Sequence, residues 1–248
     1  SSEYAYGVCS DGLERSIIVG RAEYTGLTLR SSTMGWQNGA DGFVAVFDES
    51  CGRFPTFFGG TKDEHAEDVA VDNSGNIYIT GWTKSSNLPA TVGAHQTSLS
   101  GTQDAFIAKF DAMGNRVWAT YYGGSASETG TGITTDGSSV YMVGYTTSTN
   151  NIATAGTWLP VCSGLNANGF LVKFNSSGVR QWGTYIGGLE ADYATAVALD
   201  NSGYIVVTGY TRTDFPDTVF ASAGAPQLYF GGGAFDAFVS KFNSSGGR

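Results

Sequence analysis

The chain has 248 residues, enough to bury a sizeable core. Charged residues make up only 14%, against about 25% in an ordinary soluble protein, and 13 cationic against 22 acidic residues leave a net charge of −9, which excludes a nucleic-acid binder because phosphate contacts need clustered Lys and Arg. No apolar run approaches the ~18 residues of a membrane span, and no leader peptide is visible, so the chain is expected to be mature or excised from something longer.

The expected elements come in four rounds, each with strands A to D. Round one has a strand ending at Cys9, then Ser16 to Gly20, Phe43 to Phe47 and Phe54 to Phe58. Round two shows the plan most fully. Asp68 to Asp72 is a short apolar alternation, Asn73-Ser74-Gly75-Asn76 is turn chemistry, and Ile77 to Gly81 is β-branched and aromatic. A polar stretch from Thr83 to Gln103 carries Pro89. Ala105 to Phe110 and Arg116 to Tyr122 then flank the turn Asp111 to Asn115. Round three has Val140 to Gly144, Phe170 to Phe174 and Gln181 to Ile186; round four has Ile205 to Gly209 and Phe238 to Phe242. No segment holds a period of 3.6, so almost no helix is expected.

The rounds are copies. Gly-Gly stands at 59–60, 123–124 and 187–188, and an aspartate at Asp72, Asp136 and Asp200, both at an interval of 64 residues. Short strands repeating at such a period make a radial or stacked array. One four-stranded unit cannot bury both faces of its sheet; neighbours packed face to face around an axis can. A β-helix would use shorter repeats without tight hairpins. The expectation is an all-β single domain over 1–248, a β-propeller of four-stranded antiparallel blades at 1–60, 61–124, 125–188 and 189–248. The last blade is expected to lack its outer strand, since copy four stops at Arg248 where strand D would begin. Closure into a ring of four is expected, with an arc of a larger propeller as the alternative.

The phrases themselves resemble a known repeat. Ala-Val-Asp-Asn-Ser-Gly-Asn-Ile-Tyr-Ile-Thr-Gly at 70–81, Asp-Ala-Phe at Asp104 and Asp236, and Lys-Phe at 109–110, 173–174 and 241–242 are similar to the SBBP β-propeller repeat of large secreted and surface-attached microbial proteins. Thr-Tyr-x-Gly-Gly at 120–124 and 184–188, Asp214-Phe215-Pro216 and Gly224-Ala225-Pro226-Gln227 match too. The resemblance covers the whole chain. It implies the fold and no particular reaction. Copy three departs from it with Asn168-Gly169-Phe170, and copy one lacks the Pro-containing loop motif.

Aligned on the turn aspartates Asp11, Asp72, Asp136 and Asp200, all four copies carry a carboxylate eight residues earlier: Glu3, Glu64, Glu128 and Asp192. A closed propeller would ring these acids around one mouth of the channel, and hard cations such as Ca²⁺ prefer such oxygens. No other cofactor is expected. The alternative is that each acid accepts backbone N–H bonds from an inter-blade turn. The turn aspartates lack the distal Glu of a calcium loop and read as Asx-turns. His65 and His95 neither recur nor pair, and are expected to be solvated surface residues. No nucleophile, Walker or CxxC motif is present.

Trp82, Trp118, Trp182, Phe106, Phe170 and Phe238 lie on strands and read as inter-blade core. Trp36, Trp158, Tyr229 and Phe230 lie in the long B–C loops and either stack on sugar rings or plug their blades. Asn175 and Asn243 head sequons that suit glycosylation or simply the C–D turn. Cys9 and Cys51 emerge on one face, where a bridge is conceivable, leaving Cys162 over. The functional expectation is a non-enzymatic extracellular or cell-surface module, structural or adhesive, that packs against copies of itself or other domains of its polypeptide. A glycan-binding propeller using the B–C loop face is the alternative, and a polysaccharide-active enzyme the third.

Overall fold

The computed structural model describes residues 2–12, 14–23, 39–49, 54–162, 166–212, 220–222 and 226–248. Among them lie fifteen strands and no helix. The first sheet holds β1 (Glu3–Ser10), β2 (Ser16–Ala22), β3 (Asp41–Phe47) and β4 (Phe54–Phe58). The second holds β5 (Glu64–Val71), β6 (Ile77–Thr83), β7 (Asp104–Phe110) and β8 (Arg116–Tyr122). The third holds β9 (Glu128–Thr135), β10 (Ser139–Thr146), β11 (Asn168–Asn175) and β12 (Arg180–Ile186). The fourth holds β13 (Asp192–Leu199), β14 (Ile205–Thr211) and β15 (Asp236–Phe242). Every sheet is an antiparallel meander in chain order, and the innermost strands contact one another in succession, β1 to β5, β5 to β9 and β9 to β13.

The tight turns are built by their first residue. Asp72 Oδ1 accepts the Ser74 and Asn76 amides at 2.9 and 3.0 Å, while Gly75 takes a φ of 76°. Asp136, Asp200 and Asp111 hold their turns the same way. These are the expected Asx-turns, with each Oδ1 taken up by backbone amides and Oδ2 by side chains such as Asn76 and Tyr78 at Asp72, Asn115 at Asp111 and Lys241 at Asp200.

Strand A is longer than its apolar alternation predicts. It starts at Glu64, not Asp68, because the pairing of β5 with β6 shifts register between Ala66 and Asp68. The bulge leaves Glu67 unpaired and breaks the period-2 pattern that marks a strand. The same bulge occurs at Ala5/Gly7 in β1 and at Ala194/Ala196 in β13. Opposite it, strand B always carries glycine: Gly20, Gly81, Gly144 and Gly209. A Cβ on any of these would run into the carbonyl oxygen of Tyr4, His65, Thr129 or Tyr193 respectively.

Blades pack through apolar clusters. Ile17, Val19, Val44 and Val46 meet Ile77, Ile79, Phe106 and Phe110 between the first and second sheets. Tyr78, Ile107 and Tyr122 meet Met142, Phe170 and Phe174 between the second and third. Indole pins add direction. Trp118 Nε1 donates to Ser176 O at 3.0 Å, and Trp182 Nε1 to Ser244 O at 3.0 Å, each reaching the C–D turn of the following blade. The turn glycines Gly178 and Gly246 lie directly on those rings. Trp118→Phe keeps an aromatic ring but loses the hydrogen bond and part of the buried indole, so it is expected to cost about 1–3 kcal/mol. Trp118→Ala is expected to cost about 3–5 kcal/mol. Urea midpoints of the two variants check the difference.

The long B–C loops of the second and third blades do not stand up from their end of the blade. They run down the outer strand. Thr91 N–H donates to Ala119 O at 2.9 Å and Tyr121 N–H to Gln96 O at 3.1 Å along β8. Thr154 N–H donates to Gly183 O at 2.8 Å and Tyr185 N–H to Leu159 O at 3.0 Å along β12. This satisfies an edge strand that would otherwise offer unpaired backbone groups. His95 travels with its loop and packs between Tyr122 and Phe174, with centroids at 6.0 and 5.9 Å. It is no solvated histidine: burial, then the nearby Arg180, pushes its pKa down to about 4.

The stack is open. Among the described residues no packed interface returns from β13 to β1. The two end faces differ. On the first sheet Phe43, Ala45 and Phe57 are already buried in a cluster with Ala22 and Ile18. On the fourth, Ala237 and Val239 lie uncovered, whereas their counterparts Ala105 and Ile107 in β7, and Gly169 and Leu171 in β11, are buried by the next blade.

Candidate functional site

The recurring acids sit at the blade junctions. Glu64 Oε2 accepts the Gly60 amide at 2.7 Å and Oε1 the Thr83 hydroxyl at 2.5 Å. Glu128 accepts the Gly124 amide at 2.9 Å and the Thr146 hydroxyl at 2.6 Å. Asp192 accepts the Gly188 amide at 2.7 Å and the Thr211 hydroxyl. Each carboxylate therefore fastens the incoming Gly-Gly linker to strand B of its own blade. Glu64, Glu128 and Asp192 are fully buried, and burial raises the pKa of Glu64 and Glu128. The first glycine of each linker leaves room for two side chains. A Cβ on Gly59 would lie 2.6 Å from both Asp41 Oδ1 and Glu64 Oε2, and one on Gly187 2.6 Å from both Asn168 Oδ1 and Asp192 Oδ2.

The expected convergence of Glu3, Glu64, Glu128 and Asp192 on one cation is not what the structure builds. Glu3 is exposed at the start of β1. The other three use both oxygens within separate junctions. Among the described residues no three of His, Cys, Asp and Glu gather as a metal-binding group.

The loop aromatics are not brought together either. Trp36 lies outside the described residues. Trp158 has followed its loop to the outer rim, where its amide donates to Gly246 O at 3.2 Å, its ring meets Phe242 edge-on at 5.6 Å and Arg248 lies over it at 4.7 Å. It plugs the junction of the third and fourth blades. Tyr229 is exposed and Phe230 half-buried. Their loop is clamped by Gln227, whose amide donates to Tyr229 O at 2.9 Å and to Asp236 Oδ2 at 2.8 Å.

An aromatic and charged ridge stands elsewhere, on the inner strands of the first two blades. Cross-strand pairs put Tyr4 opposite Arg21 and His65 opposite Trp82. The bulges re-aim Tyr6 and Glu67 out of the ladder. Tyr4 and Tyr6 are parallel at 4° with centroids 6.3 Å apart, Tyr6 and His65 lie at 13° and 5.7 Å, and His65 meets Trp82 at 4.0 Å. Arg21 lies 4.5 Å over the Tyr4 ring, with Nη1 at 3.0 Å from His65 Nε2 and Nη2 at 3.1 Å from Glu23 Oε1. Trp82 Nε1 donates to Glu67 Oε1 at 3.1 Å, and Lys84 Nζ stands 5.2 Å over the indole. Sequence reasoning missed this ridge by assigning Trp82 to the core and His65 to solvent. The signal was present: these residues occupy the place after the junction acid, the bulge place and the place after the strand-B glycine.

Cys9 is a free, half-buried thiol whose pKa burial pushes up to about 11. Its expected partner Cys51 lies outside the described residues. Asn175 Oδ1 accepts the Ser177 and Val179 amides at 3.0 and 2.9 Å, and Asn243 Oδ1 the Ser245 and Gly247 amides, both at 3.0 Å. Both sequon asparagines thus serve as turn caps through their oxygens.

Residues 60–89 and 181–216 match the family model described as SBBP, beta-propeller repeat. The chain is 27% identical over 150 residues to the regulatory protein FlaEY of Caulobacter vibrioides, covering 60% of this chain and 15% of that protein. It is 27% identical over 191 residues to the uncharacterized WD repeat-containing protein L264 of Acanthamoeba polyphaga mimivirus, covering 70% of this chain and 13% of that one. The matches therefore span about a seventh of each relative's length. With sheets that stack as antiparallel meanders around inner strands A, residues 60–89 and 181–216 are beta-propeller repeats of the SBBP family.

Proposed function

We propose that this chain is a non-catalytic, extracellular structural or adhesive module that packs against copies of itself or other propeller domains of its polypeptide. The observation that carries this reading is the uncovered face of the fourth sheet. β15 alternates buried and exposed residues, with Val239 68% exposed, where β7 and β11 are buried on both faces. The occupant that fits is a further blade, because a blade covers the same positions at every earlier junction. Among the described residues the buried acids Glu64, Glu128 and Asp192, the linker and strand-B glycines and the turn aspartates are used by the architecture, which favours a non-catalytic role. A weakly charged surface offers little like-charge repulsion to close packing, although the net −9 works against it. Low charge and two sequons favour an extracellular setting.

Sedimentation equilibrium on residues 1–248 is expected to show association that grows with concentration. Val239→Lys is expected to abolish it, since a buried unpaired charge is strongly unfavourable. A stable monomer at high concentration, with the fourth blade protected from hydrogen exchange, would sink the self-association.

A further inference from the structure

We propose that the ridge of Tyr4, Tyr6, His65 and Trp82 is a binding site for neutral polysaccharide. The inference stands apart from the packing role, because the ridge lies on inner strands of blades one and two rather than on the open face of blade four.

The first ground is where chemistry departs from the repeat. At the bulge, copies three and four place Thr131 and Thr195, and Thr131 spends its hydroxyl on Ala194 O at 2.7 Å in the inter-blade packing. Copies one and two place Tyr6 and Glu67 there instead, and both project from the ladder. After the junction acid, copies one and two have Tyr4 and His65. After the strand-B glycine they have Arg21 and Trp82. Aromatics also follow the junction acid at Tyr193 and the strand-B glycine at Tyr145 and Tyr210, so it is the bulge place, with Tyr6 and Glu67, that sets the first junction apart.

The second ground is the form of the surface. Tyr4 and Tyr6 are 44% and 43% exposed and their rings stack, so they present a flat aromatic surface that a ligand can cover. Parallel flat faces accept the apolar C–H faces of pyranose rings, and tyrosine and tryptophan suit sites with one wet edge. Polar partners for sugar hydroxyls stand beside each ring: Arg21 and Glu23 by Tyr4, Glu67 between His65 and Trp82, and Lys84 over the indole. Arg21 Nε is buried without a hydrogen-bond partner, a donor left over at the site.

The third ground is charge. Two cations and two carboxylates balance across the ridge, so neither a phosphate-rich nor a polyanionic chain is favoured, and the net −9 of the protein opposes both. A neutral glycan meets no such penalty. The network also fixes the rings in advance. His65 is held by Arg21 and stacked on Trp82, and Trp82 is held by Glu67, so little freedom is lost on binding.

Affinity electrophoresis in native gels containing hydroxyethylcellulose, galactomannan, xylan or laminarin tests the site. Retardation is expected in at least one of the four gels. The double variant Tyr4→Ala, Tyr6→Ala is expected to weaken it by roughly tenfold or more, with the urea midpoint lowered far less than in Trp118→Ala because both side chains are nearly half exposed. Tyr229→Ala, on the exposed B–C loop, is expected to migrate as the parent does. No retardation in any of the four gels overturns the proposal. So does retardation that survives the double variant, retardation lost equally in Tyr229→Ala, or retardation seen only with a charged polymer such as alginate.

Discussion

Gly144→Ala is expected to unfold the third blade. A Cβ there meets the carbonyl oxygen of Thr129 far inside contact distance, with Phe170 Cζ at 2.7 Å on another side. Flexible side chains can step aside from an added methyl, but here the nearest obstacle is backbone. That backbone is the bulged stretch of β9, held by its ladder with β10. Relief requires either moving β9 away from β10 or removing the bulge, and removing it slips every later residue of the strand to the opposite face. Overpacking in a core usually costs 1–3 kcal/mol and is larger where backbone must shift; about 4 kcal/mol or more is expected here. Equilibrium urea unfolding measures it. A loss below 1 kcal/mol would mean that the glycine serves no close approach. Gly93→Ala is the matched control, since a Cβ there has nothing within 4 Å and only the positive φ of 81° opposes it.

That glycine also explains what could be read from the sequence and what could not. The repeat interval, the turn aspartates and the strand-B phrase ending in glycine were legible because each is a local device that must recur wherever a blade recurs. Strand A was legible only in its second half. The bulge at Ala66/Asp68 breaks the alternation that announces a strand, so Glu64 to Glu67 read as a lead-in. The ridge was hidden for the same reason, since Tyr6 and Glu67 are the bulge residues themselves. The course of the B–C loops was not legible, because their polar composition says nothing of direction. In the structure they lie along β8 and β12, driven by backbone groups of an edge that needs partners. Ring closure depends on the fit between two faces remote in sequence, and no local pattern carries that.

Glu128→Ala is expected to cost about 3 kcal/mol, and Glu128→Gln much less. Alanine leaves the Gly124 amide and the Thr146 hydroxyl without their acceptor in a buried junction, and each stranded polar group costs about 1–3 kcal/mol. Glutamine can still accept the Gly124 amide through its oxygen and donate to Thr146 through its nitrogen. The pH dependence separates this staple from a charged site. Burial raises the pKa of Glu128 despite the donors from Ser148, Thr146 and Gly124, and it raises Glu64, Asp68 and Asp104 likewise. A carboxyl with a raised folded pKa holds its proton more tightly in the folded state. Its contribution is complete below the unfolded value of about 4 and is lost as pH rises through the folded value. The turn aspartates oppose this. Burial raises Asp72 and Asp111 a little, but hydrogen bonds from Asn76 and Ser74, and from Asn115 and Met113, outweigh it and leave both lowered. Their contribution is present above about 4 and is lost as pH falls through the folded value. The urea midpoint is therefore expected to peak in mildly acidic solution and to decline toward neutrality. Glu128→Gln, with no proton to lose, should flatten part of that decline while leaving the acid limb unchanged. A decline equally steep in the glutamine variant, or a glutamine variant as unstable as the alanine one at every pH, would show that Glu128 acts as an ionised ligand and not as a buried staple.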